Sequence, residues 1–262
     1  MSVLEFRNVS KQYNIRGSKK LMAVNDVSFT LEPGKTIALV GQSGSGKSTI
    51  AKMLVQLERP SSGQILLDGK PVSRFGKGLR DYRREVQMVF QDPFASLNPF
   101  HTIAHHLARP LLLHKQATKK NLDAEVERLL ERVQLVPGAA VRNRKPHELS
   151  GGQRQRVAIA RALAPKPSVL IADEPVSMLD VSIRLGVLNL LGELQRQENL
   201  GVLYITHDLA TARHFSDEIM VLYQGVVVEQ GPSDEVILNP QHEYTKRLRD
   251  ASPNPEAQFA EK

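Results

Sequence analysis

Apolar residues in this chain follow two rhythms. Leu4, Phe6 and Val9 mark an early strand, and Val27, Phe29 and Leu31 alternate with polar neighbours as a half-buried strand does. Glu32-Pro33-Gly34 turns the chain into an uninterrupted apolar run, Thr36-Ile37-Ala38-Leu39-Val40, which predicts a buried strand. A glycine-rich stretch follows. Ile50, Met53, Leu54 and Leu57 then recur at the spacing of one helix face. Pro60-Ser61-Ser62-Gly63 breaks that pattern, Ile65 and Leu67 open a strand that stops at the Asp68-Gly69 turn, and Val86-Gln87-Met88-Val89-Phe90 is another short strand.

From residue 92 to 167 strands vanish. Leu122, Val126, Leu129, Leu130 and Val133 share one helix face with charged residues opposite, which predicts a helical insertion. The earlier rhythm resumes with Val169-Leu170-Ile171-Ala172, a helix over 181–197 and the strand Val202-Leu203-Tyr204-Ile205. Strands alternating with helices argue for a parallel sheet. Tyr223-Gln224-Gly225 reads as a hairpin turn, and the polar, proline-containing tail from Ser252 as disordered. The expected organisation is a first core half over 1–91, a helical part over 92–167, a second core half over 168–230 and an extension over 231–262.

Composition narrows the chemistry. With no cysteine among 262 residues, disulfides, thiolate metal sites and cysteine-held iron–sulfur clusters are excluded. No apolar run approaches the roughly 18 residues of a membrane span, and the N-terminus lacks a secretory signal, so a soluble, cytoplasmic protein is expected. The net charge of +7 is spread along the chain, with clusters at Arg142-Asn143-Arg144-Lys145 and Arg154-Gln155-Arg156. No basic stripe with interleaved aromatics is present, so these clusters read as solvated faces and nucleic acid is not an expected partner.

The glycine-rich stretch carries the chemistry. Gly41-Gln42-Ser43-Gly44-Ser45-Gly46-Lys47-Ser48-Thr49 lies between a buried strand and a helix, the context a P-loop requires. Its backbone N–H groups and the helix N-terminus suit phosphate oxygens, Lys47 the β and γ phosphates, and the Ser48 hydroxyl Mg²⁺. Asp173 and Glu174 end an apolar strand read as lying beside this loop; Asp173 would reach Mg²⁺ through water, and Glu174 would act as general base. In Leu149-Ser150-Gly151-Gly152-Gln153, Ser150 suits a helix N-cap, but a cap needs neither the paired glycines nor the Gln. A second phosphate-holding helix start is the reading that uses them. His101, His105 and His106 lie in or near a helix on different faces and suggest surface contacts rather than a metal site.

In this combination and order, residues 41–48, 149–153, 169–174 and a single His207 after a strand, the chain resembles the nucleotide-binding subunit of an ATP-binding cassette (ABC) transporter. The resemblance implies an α/β fold: a RecA-like P-loop NTPase core with a mainly parallel sheet, an N-terminal antiparallel β subdomain and an inserted α-helical subdomain. It further implies that Tyr13 stacks on adenine, that Gln91 links Mg²⁺ and the attacking water to the helical part where the membrane subunit docks, and that His207 contacts the γ-phosphate and organises Glu174. Asp180 would belong to a loop crossing to a second subunit. Ser150, Gly151, Gly152 and Gln153 would contact the nucleotide held by that subunit, in trans.

Phe90-Gln91-Asp92-Pro93-Phe94-Ala95-Ser96-Leu97-Asn98-Pro99, Pro146-His147-Glu148-Leu149 and Asn239-Pro240-Gln241-His242-Glu243-Tyr244-Thr245 resemble the oligopeptide, dipeptide and nickel importer branch. Val176 and Met178 depart from the branch pattern without removing a catalytic group. The implied assembly pairs two different ATPase chains, rather than two copies, with two permeases at the cytoplasmic face of the membrane; a binding protein acts indirectly. Peptides are the expected cargo, with nickel, opines or oligosaccharides as alternatives. A soluble ABC ATPase acting on nucleic acid or the ribosome is a more distant alternative, as is a P-loop kinase or GTPase. Because each ATP site needs both subunits, the isolated monomer is expected to hydrolyse ATP poorly; strong phosphate release from a demonstrated monomer would count against the two-subunit site.

Overall fold

In the computed structural model, residues 2–14 and 20–251 are described, so the tail read as disordered lies outside the described residues. Among the described residues, ten strands divide between two sheets. The antiparallel sheet joins β1 (Leu4–Asn14), β2 (Lys20–Leu31), β4 (Ser62–Leu67) and β5 (Lys70–Pro71) in the order β2-β1-β4-β5. Phe6 and Phe29 stack inside it at 5.1 Å between ring centroids.

The second sheet runs β10-β9-β3-β8-β7-β6, from β3 (Thr36–Val40), β6 (Val86–Val89), β7 (Val169–Asp173), β8 (Gly201–Thr206), β9 (Glu218–Tyr223) and β10 (Val226–Pro232). All its pairs are parallel except β10 with β9. Its central strands are continuous apolar runs because both faces are covered. Ile37 and Leu39 pack with α1 (Lys47–Leu54) and the antiparallel sheet, whereas Ala38 and Val40 pack with the helical layer. That layer includes α3 (Pro93–Ser96), α4 (Ile103–Leu113), α5 (Leu122–Arg132), α6 (Gly138–Arg142), α7 (Gly151–Leu163) and α8 (Val181–Glu198). Val126, Leu129, Leu130 and Val133 on the predicted α5 face are buried.

Several expectations need correction. Helix α1 stops at Leu54, and Leu57 is exposed; Gln56, with φ 58, turns the chain before the helix face can continue. Strand β6 ends at Val89, leaving Phe90 exposed. The carboxylate-bearing β7 ends beside the P-loop, with Asp173 near Ser48 and Lys47, although β8 lies between β7 and β3 in the sheet. The basic clusters also have internal work. Arg142 bridges Asp123 and Glu127, Arg154 stacks over Phe94 at 4.4 Å, and Arg156 donates to the Val133 carbonyl and Gln134.

Four helices had no clear pattern to announce them. In α2 (Gly76–Glu85) only Tyr82 is buried. The others are α9 (Leu209–Phe215), capped by Asp208, α10 (Ser233–Leu238) and α11 (Glu243–Asp250).

Because Phe6 is fully buried and stacked, Phe6→Ala is expected to cost about 3–5 kcal/mol, read as a lowered midpoint in urea unfolding. An unchanged midpoint would show that this pair does not anchor the antiparallel sheet.

Candidate active site

Strand register assembles the site. Val40 pairs with Thr206, Ile205 with Asp173 and Ala172 with Val89, so four parallel strands end along one edge. The residues that follow, Gly41, His207, Glu174 and the loop carrying Gln91, therefore leave the sheet together. Ligands of open parallel sheets bind at this carboxyl edge.

The P-loop wraps the start of α1, whose first turn has no side-chain cap. Gly46 is required there: its φ is 112°, and a Cβ would lie 2.3 Å from the Ala23 carbonyl oxygen. The buried Lys47 ammonium donates to the carbonyls of Gly41 at 2.6 Å and Gln42 at 3.0 Å. Burial lowers its pKa from the ordinary lysine value, while the charges of Glu174 and Asp173 pull it back up. Burial, with Glu174 beside it, raises the Asp173 carboxyl, against the charge of Lys47 and a hydrogen bond from Ser48.

Glu174 sits at φ 44°, a left-handed conformation that costs a non-glycine residue roughly 1–2 kcal/mol. Its own N–H holds the Ile205 carbonyl at 2.9 Å. The side chain is bracketed: Gln91 Nε2 donates to Oε2 at 2.9 Å, and His207 Nδ1 lies 3.2 Å from Oε1. Tyr13, Ser43, Gly44, Gly46, Lys47, Ser48, Thr49, Gln91 and Glu174 line one cleft of about 770 Å³. Tyr13 lies at its rim beside the exposed Leu21 and Met22, which the sequence reading did not single out. Lys11 Nζ stands 4.7 Å over the Tyr13 ring.

The second glycine motif begins α7. Ser150 Oγ accepts from Gln153 N–H at 3.3 Å, and Gln153 Oε1 accepts from Ser150 N–H at 3.0 Å. This is a capping box, so the argument that a cap has no use for Gln153 fails. Gly152 also has a structural reason. A Cβ there would lie 2.5 Å from Ile183 Cγ2 on α8, while one on Gly151 would meet Leu179 at 3.4 Å. Ser150 and Asp180, the N-cap of α8, are exposed. The His101 and His105 rings stack at 4.0 Å with His106 edge-on, and among the described residues no group of three or more His, Cys, Asp or Glu forms a metal site.

A P-loop at the end of one central strand and a bracketed carboxylate at the end of another define a P-loop nucleoside triphosphatase. The family model described as "ABC transporter" matches residues 24–177. The DppF di/tripeptide transport ATP-binding protein of Pseudomonas aeruginosa UCBPP-PA14 is 44% identical over 258 residues, covering 96% of this chain and 79% of its own. The OppF oligopeptide transport ATP-binding protein of Bacillus subtilis 168 is 46% identical over 260 residues, covering 98% and 84%. Among solved structures, the dimeric post-hydrolysis cassette MJ0796 bound to ADP and Pi superposes with a TM-score of 0.77 at 29% identity, over 88% of this chain and 98% of that one. The chain belongs to the ABC transporter family, as one of its ATPase cassettes.

Overpacking at Gly152 is testable. Since β-branched Ile183 has little freedom to move aside, Gly152→Ala is expected to cost about 1–3 kcal/mol. Combined with Ile183→Ala it should be more stable than the two single losses predict. Strict additivity in thermal melts would show that α7 and α8 do not meet at this point.

Proposed function

We propose that this cassette hydrolyses ATP to drive peptide import, at the cytoplasmic face of a membrane, as one of two different ATPase chains bound to two permeases. The observation that carries the chemistry is Glu174, held by Gln91 and His207 at the mouth of the P-loop cleft. Peptide cargo rests on the di/tripeptide and oligopeptide transport named for its relatives. Among the described residues no helix is long and apolar enough to cross a membrane, so passage needs partner chains.

Tyr13 stacks on adenine, the N–H groups of residues 41–49 cradle the phosphates, and Lys47 exchanges its P-loop carbonyls for phosphate oxygens. Ser48, Gln91 and Asp173 fit Mg²⁺ by their chemistry: all are hard oxygen donors, and the Ser48 hydroxyl already lies against the Asp173 carboxylate. When bound, Mg²⁺ offsets negative charge on the β- and γ-phosphates. Gln91 uses its amide nitrogen on Glu174, which leaves the amide oxygen for that role. Glu174 accepts a proton from the attacking water, while His207 fixes its other oxygen and reaches the γ-phosphate. Ser150, Gly151, Gly152, Gln153 and Asp180 face the second cassette and complete its site in trans. ATP draws the two cassettes together, and hydrolysis releases them. A solvated capping box on an uncovered surface is the competing account of Ser150 and Gln153, and the cassette-pairing measurement separates the two.

Glu174→Gln keeps the shape and removes the base. Phosphate release is expected to fall by about 10² or more, while ATP binding persists and the closed pair accumulates on size exclusion. Retained turnover would remove Glu174 from the chemistry. Mild-detergent purification of the tagged chain with mass spectrometry tests the assembly. Two permeases and a second cassette support the importer; ribosomal or DNA-repair proteins without a permease overturn it.

A further inference from the structure

The last helix among the described residues touches the phosphate loop. Tyr244, in the first turn of α11, is buried, and its hydroxyl oxygen accepts the backbone N–H of Gln42 at 2.9 Å. The two residues are 202 positions apart. The Gln42 carbonyl is occupied as well, by Ser45 N–H at 3.2 Å and Lys47 Nζ at 3.0 Å. Both backbone polar groups of this one residue are thus fixed, one by the P-loop itself and the other by a hydroxyl from outside it.

The hydroxyl is firmly placed. The Tyr244 ring packs on Tyr223, centroids 4.2 Å apart, at the end of β9, the strand paired with β3. Tyr244 and Leu248 join Val40 and Val221 in the core. His242 Nδ1 accepts from Tyr244 N–H at 3.1 Å, and the Glu229 carboxylate, from β10, accepts the N–H groups of Gln241 at 2.8 Å and His242 at 3.1 Å. A carboxylate at a helix N-terminus also gains from the helix dipole. The helix start is anchored to the same sheet that carries the P-loop.

We propose that Tyr244 is a positioning residue for nucleotide binding: its hydroxyl holds the Gln42 peptide so that the P-loop is set for phosphate before ATP arrives. The branch-like segment around His242, Glu243 and Tyr244 thereby acquires a function within the cassette. Preorganisation of this kind acts on affinity, because a loop already ordered loses less freedom on binding. It leaves Glu174, Gln91 and His207 untouched, so chemistry at saturating ATP is unaffected. The proposal rests on the P-loop reading above, and the wild-type chain tests that reading separately.

The experiment compares full-length wild type, Tyr244→Phe and Lys47→Ala. Phenylalanine preserves the packing on Tyr223 and removes only the acceptor. Loss of one such hydrogen bond is expected to weaken ATP binding about fivefold, measured at equilibrium with a fluorescent ATP analogue. In the assembled transporter, KM for ATP should rise by a similar factor with kcat unchanged. Amide exchange should quicken at Gln42 and Ser43 but not in β3 or β8. If Tyr244→Phe binds within twofold of wild type, or if exchange quickens evenly over the chain, Tyr244 is only a packing residue and the proposal is overturned. Failure of the wild type itself to bind ATP, or undiminished binding by Lys47→Ala, would instead overturn the P-loop reading on which it depends.

Discussion

Parallel strands that end at a common level are the constraint on which this structure depends. Once β3, β8, β7 and β6 share their register, the residues just beyond each strand have nowhere to go but one edge. The polar groups there are held against one another: Lys47 near two carboxylates, Ser48 on Asp173, and Glu174 between an amide and an imidazole. The unfavourable backbone of Glu174 fits the same picture, since strain persists where surrounding structure over-determines a conformation. The apolar interior on both faces of the sheet keeps the four strand ends level, so the chemistry at the edge draws its order from the core.

Much of this was legible because its signals are local. A buried strand, a glycine-rich turn and a helix lie within about twenty consecutive residues of sequence, and the run ending in Asp173-Glu174 needs no partner to be noticed. The P-loop Gly46 reads as glycine for a reason the backbone bears out. What stayed hidden depends on distant neighbours. No residue of β7 announces that β8 intervenes before β3. Helix α2 buries only Tyr82, so it has no apolar stripe to read. Nor does a sequence say that Gly152 is small because Ile183 stands against it. The contact of Tyr244 with Gln42 is the extreme case, joining residues 202 positions apart; only the motif-like character of residues 239–245 marked that stretch at all.

Ser150 and Gln153 have one role within the chain and a second under the function proposed above. Their reciprocal hydrogen bonds cap α7 inside this chain, and the cap alone accounts for both side chains unless a second cassette covers them. A capped helix start is a rigid one. Exposed Met178 and Val181 flank Asp180 in sequence, and the exposed Phe94 ring lies 3.9 Å from the position a Cβ on Gly151 would take.

The contact between Gly152 and Ile183 has a mechanical consequence. With no side chain on Gly152, the first turn of α7 lies directly on the first turn of α8, and Leu179 closes the gap beside Gly151. The exposed Ser150 and Asp180 therefore ride on a single block rather than on two loops with independent play. Neither helix start can close on the other, because Ile183 and Leu179 already fill the space beside the two glycines, much as a key's teeth share one shank. In the pairing proposed above, Ser150 and Asp180 would therefore meet a neighbouring cassette together.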